Sequence, residues 1–294
     1  MTVSSGEASA LALLAAVVWG AADFCGGLAT RRATPASVLT IAHGLSLVVL
    51  LLILSGLHAG LPTQHTIVYG LLAGLTGGIG LLALYQGLSL GSMGLVAALS
   101  GVLTAALPVM VSFFSEGRPT PLKLAGFLVA CIAIWLIAYT PSSKVHPLGL
   151  GMAVLSGICF GFLLVFLHIA GKDSVLWALT FSRVGSVCCA LTLGLITILR
   201  SGRGKTAQPA SGRRVPAWLI MALLAAIAGL LDTSGNLLFT FSSLAGRLDI
   251  AAVLSSLYPA GTILLAIWLL RERATRNQGI GMALALLAVV MISA

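Results

Sequence analysis

Asp23, Arg183 and Asp232 are the charged side chains that fall inside long apolar stretches of this sequence, and the titratable His43 joins them. At the centre of a lipid bilayer each charge costs about 2.5–3.5 kcal/mol on insertion scales, so each needs a reason to be there. A carboxylate in such a place can exchange a proton or balance an amino group on a bound solute. An arginine can hold a carboxylate through two parallel N–H bonds. Asp23 follows Trp19 by four residues, so the two share one face of a helix, and Asp232 and Asn236 share a face by the same spacing. These faces are expected to line a central cavity. The structural alternative is an Asp paired with Arg183 or bonded to helix ends, which would hold a bundle together. Arg183 could equally pin its helix to a carbonyl or an Asp, and His43 could be satisfied by a neighbouring backbone.

Weaker polar candidates surround them. Ser100 with Thr104, and Ser255 with Tyr258 and Thr262, form stripes near Pro108 and Pro259. A proline frees a helix carbonyl, which can contact a solute where it lines a cavity, or the proline simply kinks the helix for packing. Gln86 beside Tyr85 is a further candidate. The candidate substrate-binding or coupling residues are therefore Trp19, Asp23, His43, Gln86, Arg183, Asp232, Asn236 and Tyr258. Trp177 and Trp218 read as interfacial anchors. Glu116 and Glu272, beside Arg118 and Arg271, read as solvated or ion-paired helix caps. His58, His65 and His146 read as linker residues.

The elements that position these groups follow from composition. Of 294 residues, 59% are apolar and 8% charged, against roughly 25% charged in a soluble protein. The mean hydropathy is +1.11. Too few charged side chains exist to coat a soluble domain, which excludes a soluble enzyme, a disordered chain and a nucleic-acid-binding module. The net charge of +9 does not reverse this, because 15 of the 16 Lys and Arg lie between or at the ends of apolar runs. The five cysteines lie in apolar runs without metal-ligand spacing, so neither a disulfide framework nor a metal site is expected. The first apolar run reads as a span rather than a cleavable signal, since its first charge is Glu7 and similar runs follow it.

Ten apolar stretches can be marked, approximately 8–28, 38–54, 67–90, 93–114, 121–139, 147–170, 175–199, 217–241, 250–270 and 279–293, most of them near the 20 or so residues that cross a bilayer. The fold class is thus an all-α polytopic membrane protein. Short linkers rich in Gly, Pro and Ser join the stretches, and Gly70, Gly74 and Gly77 mark a close helix contact. A shift of 155 residues sets Ala97–Ser100 on Ala252–Ser255, Thr120 on Thr275 and Gly126 on Gly281. A shift of 140 or 141 sets Gly20 on Gly161 and His43 on Arg183. Residues 1–141 and 142–294 would then be two repeats of five helices each. An odd number inverts the second copy relative to the first, as in many secondary transporters.

Two segments carry a family resemblance. The first is Trp19-Gly20-Ala21-Ala22-Asp23-Phe24, running on to Arg31-Arg32. The second is Leu254-Ser255-Ser256-Leu257-Tyr258-Pro259, then Leu269-Leu270-Arg271-Glu272-Arg273-Ala274-Thr275 and Gly281. The chain resembles the EamA-type, ten-helix, two-repeat members of the drug/metabolite transporter superfamily over nearly its whole length. The first repeat departs from the second: Ser115-Glu116-Gly117-Arg118-Pro119-Thr120 has an extra residue between Glu and Thr. Its proline, Pro108, is not at Thr104, the equivalent of Pro259.

The resemblance implies export or exchange of a small metabolite, amino-acid-like or amphiphilic, by alternating access, with a coupling proton. It also implies the bacterial inner (cytoplasmic) membrane. No Walker A sequence or HExxH is present, and no catalytic residues, metal or cofactor are expected. A membrane-embedded enzyme acting on a lipid is the alternative. The partners expected are a small-molecule substrate and the lipid bilayer, with no nucleic acid, and the chain would act as a monomer or homodimer. Eleven Lys and Arg lie in the linkers after the odd-numbered helices and four on the opposite side. The positive-inside rule therefore puts the termini outside, whereas the resemblance implies cytoplasmic termini.

Overall fold

The computed structural model describes residues 4–30, 33–89, 93–138, 147–201, 217–270 and 275–293. Eleven helical segments occupy them: α1 Ser5–Thr30, α2 Pro35–Gly56, α3 Gln64–Ser89, α4 Met93–Ser115, α5 Pro121–Ala138, α6 Pro147–Gly171, α7 Val175–Ser201, α8 Ala217–Ala245, α9 Leu248–Ser255, α10 Tyr258–Leu270 and α11 Arg276–Ser293. Together α9 and α10 make one span, so the chain is an all-α membrane protein of ten spans. Six helices (α1, α2, α3, α6, α7, α8) contain apolar stretches long enough to cross a bilayer, and shorter apolar helices cover Leu99–Ser115, Pro121–Leu136 and Arg276–Ile292.

Local chemistry sets the helix starts. Thr34 caps α2 by accepting from the Ser37 amide at 3.3 Å, followed by Pro35 at the first helical position. Thr120 receives the Lys123 amide at 3.4 Å before Pro121 of α5. Thr275 does the same for α11, taking the Gln278 amide at 3.2 Å while Gln278 Oε1 accepts from the Thr275 amide at 2.9 Å. The aligned pair Thr120 and Thr275 thus caps the last helix of each repeat.

The ninth span departs from the sequence reading, which takes 250–270 as one continuous helix. It breaks at Ser256–Leu257. Pro259 has no amide hydrogen to give the Ser255 carbonyl, and the chain crosses the gap with tight bonds, Leu257 to Leu254 at 3.3 Å and Ala260 to Leu257 at 2.9 Å. Pro108 lies inside α4, which stays unbroken. The break therefore belongs to the second repeat alone.

Helix packing repeats across the two halves. α1 packs on α8 as α6 packs on α3, α4 packs on α6 as α9 and α10 pack on α1, and α3 meets α7 as α8 meets α2. The contacts of α2 with α7 and of α5 with α11 are their own counterparts. Glycines permit the closest crossings. A Cβ on Gly74 would collide with the Ser182 backbone, and one on Gly229 with the Ala42 backbone. At Gly20 it would lie 2.8 Å from the Tyr258 carbonyl oxygen, which brings α1 against the start of α10. Ala12, Ala130, Ile134, Leu254 and Ala288 are among the buried residues that close the core on the α5–α11 side.

Side chains tie the two repeats together on the face where α1 begins and α11 ends, the near face. Asp173, between α6 and α7, accepts from Thr63 Oγ1 at 2.7 Å, and its carboxylate lies 3.1 Å from His65 Nδ1. Trp177 donates to the Gly60 carbonyl at 2.8 Å. Arg247 donates to the Glu116 and Gly117 carbonyls at 3.0 and 2.8 Å, while the Glu116 carboxylate takes the Leu248 amide at 3.1 Å. Glu116 thereby caps α9 rather than pairing with Arg118, whose guanidinium sits over the Phe113 ring at 5.7 Å. Ser242 donates to the Ala8 carbonyl at 2.7 Å. His65 belongs to the first turn of α3 rather than to a linker. Arg31, Arg32, Lys144, His146, Arg203, Lys205, Arg213, Arg214, Arg271, Glu272 and Arg273 lie outside the described residues.

Candidate substrate site

A cavity of about 70 Å³ lies where the central helices cross, room for a few waters or the polar head of a small solute. α1 contributes Trp19 and Asp23, α2 His43, α7 Ser182, Arg183 and Ser186, α8 Asp232 and Asn236, and α10 Tyr258. Phe160, Leu163 and Leu164 of α6 form an apolar wall, with Gly77 of α3 packed against Leu163 and Gly74 against the Ser182 backbone. Asp23, His43, Leu81 and Asp232 also border a smaller chamber, about 20 Å³, whose far wall is Tyr85 and Ala228.

Seven of the eight sequence candidates line the central cavity. The eighth, Gln86, does not. It lies in a groove of about 1240 Å³ between α2, α3, α6 and α7, toward the opposite, far face. Its position on α3, about one and a half turns beyond Leu81, carries it past the cavity.

The charged centre is a connected cluster. Arg183 Nη1 donates to Asp232 Oδ2 at 2.7 Å and lies 2.9 Å from His43 Nε2. His43 Nδ1 lies 2.6 Å from Ser186 Oγ. Asn236 Nδ2 donates to the same Asp232 oxygen at 3.2 Å. His43 Nε2 also lies 3.3 Å from Asp232 Oδ2, so the imidazole is held between Arg183, Asp232 and Ser186. So His43 and Arg183, aligned between repeats by sequence, meet in space. The partners of His43 are side chains rather than the backbone expected for it.

Not every group in the cluster is satisfied. Among the described residues, Arg183 Nε and Nη2, Asn236 Oδ1 and the Tyr258 hydroxyl are buried without a partner. Asp23 forms no ion pair among the described residues and shares the cavity with Asp232. Trp19 stacks on Phe239 at 5.9 Å and meets Tyr258 edge-on at 6.5 Å, and its indole rests against Gly235, where a Cβ would collide with it. Gly235 thus leaves room for the Trp19 ring.

Ser186 and the apolar wall of α6 escape a reading based on charged residues. Ser186 could have been found as a hydroxyl three residues after Arg183, on the same helical face. The wall has no such signal, because Phe160 and Leu163 look like lipid-facing residues in sequence. On the near face, the hydroxyl of Thr63 holds the Asp173 carboxyl below the usual carboxylate range.

The EamA-like transporter family matches this chain at residues 7–139 and again at 147–294. The chain belongs to that family, in its two-repeat form, and is a transporter of the drug/metabolite class. No curated protein matches the sequence. Twenty-two solved chains do match. One, a crystal structure of a protein, is 16% identical in sequence, with a TM-score of 0.74 over 98% of this chain and 99% of its own. At that identity the likeness is one of fold.

Proposed function

We propose that this chain is a secondary transporter of the bacterial inner membrane that exports or exchanges a small metabolite, amino-acid-like or amphiphilic, by alternating access. The repeats are taken to divide between residues 141 and 142. The observation that carries the reading is the cavity itself. It lies where both repeats cross and holds a carboxylate, Asp23, that has no ion-pair partner among the described residues. A buried charge without a partner is costly, and a cycling cation, either a proton or a group on the solute, offsets that cost. Transporters of this kind place the site near the midplane and use a broken helix beside it. The break before Tyr258 supplies one.

The near-face ties support alternating access. Thr63 to Asp173, Trp177 to Gly60 and Arg247 to Glu116 all join one repeat to the other, and they must part for the cavity to reach that face. The large groove toward the far face is lined by Thr34, Ser37, Thr40 and Gln86 among apolar side chains. A lipid-modifying enzyme would want a nucleophile and base at one interface, whereas the two intramembrane carboxylates, Asp23 and Asp232, line a central cavity. Purified protein in proteoliposomes should show saturable uptake that speeds up when the solute is preloaded on the other side. Flux proportional to concentration, unaffected by preloading, would overturn the reading.

A further inference from the structure

We propose that the groove between α2, α3, α6 and α7 is a lipid site, seating one acyl chain of a phospholipid from the far leaflet as a wedge between α2 and α7. It shares no lining residue with the central cavity.

The depth of the groove follows from its lining. Residues in the stretches 34–41 of α2, 79–86 of α3 and 189–195 of α7 face it, and each stretch rises about 10 Å along its helix axis. All three belong to the far halves of their helices, since α2 starts at Pro35, α3 ends at Ser89 and α7 ends at Ser201. The groove therefore covers most of one leaflet, whose hydrocarbon is about 15 Å deep, half of a bilayer core. Its chemistry is graded along that depth. Thr34, Ser37 and Gln86 lie at the helix ends, while Ile41, Ile79 and Leu191 line the deeper part. The hydroxyls of Thr34 and Ser37, 2.7 Å apart, can donate to the ester or phosphate oxygens of a lipid. Thr40, deeper down, spends its hydroxyl on the Ala36 carbonyl at 2.8 Å. A wholly polar solute would leave its groups unpaired against that deeper wall. An amphiphile with its polar end outward matches the gradient.

The two ends of α2 and α7 show what is missing. These helices are counterparts in the two repeats, and at the near end they close on each other: Leu50 and Leu179 belong to one buried cluster. At mid-depth His43 meets Ser186 and Arg183. Beyond that point the contact opens. Leu191 and Leu195 are 55% and 57% exposed, and a Cβ built on Gly194 meets nothing within 4 Å. Side chains fill the near half, whereas a space of about 1240 Å³ remains in the far half. Water there would wet apolar walls inside a membrane, and leaflet hydrocarbon fills the space without that penalty. Four helices surround such a chain. The outward faces of α5 and α11, where Leu128 and Leu286 are 67% and 70% exposed, offer a lipid one side only. A chain in the groove therefore makes more contacts than the lipid around the bundle and is held longer.

The test reconstitutes the protein in phosphatidylcholine liposomes doped with a phosphatidylcholine that carries a photoreactive diazirine on one acyl chain. After irradiation, adducts mapped by mass spectrometry should fall on residues 34–41 and 189–195. They should exceed those at Leu128 and Leu286 roughly ten-fold, the ratio that about 1.4 kcal/mol of preference gives. Gly194→Trp fills the open space and should remove the groove adducts while leaving those at Leu128 unchanged. Gly44→Trp also points into open space but lies outside the groove, and should leave the pattern as it is. If Gly194→Trp fails to fold, the wild-type contrast between groove and outer surface still decides. A second measurement separates lipid from water. In a protein whose only cysteine is Cys189, on the deep wall of the groove, a lipid-soluble maleimide should react and a charged, membrane-impermeant thiol reagent should not. Adducts spread evenly over the groove, Leu128 and Leu286 would show surrounding lipid alone and overturn the proposal. Rapid reaction of Cys189 with the charged reagent would make the groove a water-filled vestibule and overturn it as well.

Discussion

Arg183 Nη1 on α7 stands 2.7 Å from Asp232 Oδ2 on α8, and this contact separates two intramembrane carboxylates that sequence alone treats alike. Asp232 is held by Arg183 and Asn236, while Asp23 faces the same cavity with no such hold. One carboxylate organises the site and the other is free to meet a cation.

The pair should therefore be coupled in stability. Removing one partner of a buried ion pair leaves an uncompensated charge and costs about 3–5 kcal/mol, whereas replacing both with apolar groups is often near neutral. Asp232→Leu alone should lower the unfolding midpoint in detergent sharply, and Arg183→Met with Asp232→Leu should recover most of the loss. Additive losses in the double variant would show that the pair does not hold the two helices.

Asp23→Asn should behave in the opposite way. Because it removes a carboxylate with no ion-pair partner among the described residues, folding should be unchanged or more stable. Transport should fall at least ten-fold. A stability loss as large as that of Asp232→Leu, with transport intact, would make Asp23 a structural residue.

The glycines give a sharp contrast between tight and open positions on three helices. Gly74→Ala and Gly229→Ala would drive a Cβ into the backbone of Ser182 and Ala42, so each should cost about 1–3 kcal/mol or more. Nothing lies within 4 Å of a Cβ built on Gly44, and Gly44→Ala should be neutral or stabilising by up to about 1 kcal/mol through helix propensity. Thermal unfolding of the three variants in one detergent checks the order.

On the near face the Thr63 bond lowers the folded pKa of Asp173 from 3.8. The tie it makes is therefore fully present above the ordinary carboxylate value and is lost as the pH falls through the lowered one. Amide exchange of residues 60–66 should rise on acidification below about pH 4. In Asp173→Asn it should already be raised at neutral pH and should no longer respond to acid. Exchange that rises identically in both proteins would place the acid sensitivity elsewhere.

Much of the fold was legible because apolar length is a one-dimensional signal. The ten spans can be read directly from residue order, and so can the match of Thr120 with Thr275, though not the capping bonds the two make. The site was legible where charge was out of place, as at Asp23, Arg183 and Asp232. Gln86 misleads because a polar residue in an apolar helix gives its depth but not its facing, and the groove that takes it is formed by three other helices. The split of the ninth span escapes because a proline inside an apolar run does not say whether its helix bends or breaks: Pro108 leaves α4 continuous, whereas the span holding Pro259 is split. The near-face ties join residues more than a hundred positions apart, such as Thr63 and Asp173, which spacing along one helix cannot foresee.

The central claim, a carrier that exposes one cavity to each face in turn, is tested most directly by counterflow in proteoliposomes. A cysteine-free background would carry Thr63→Cys and Asp173→Cys, joined by a short thiol cross-linker across the 2.7 Å contact. The account predicts saturable uptake stimulated by preloaded solute, abolished by the cross-link and restored when the linker is cleaved. Uptake that is linear in concentration and indifferent to both preloading and the cross-link would contradict it.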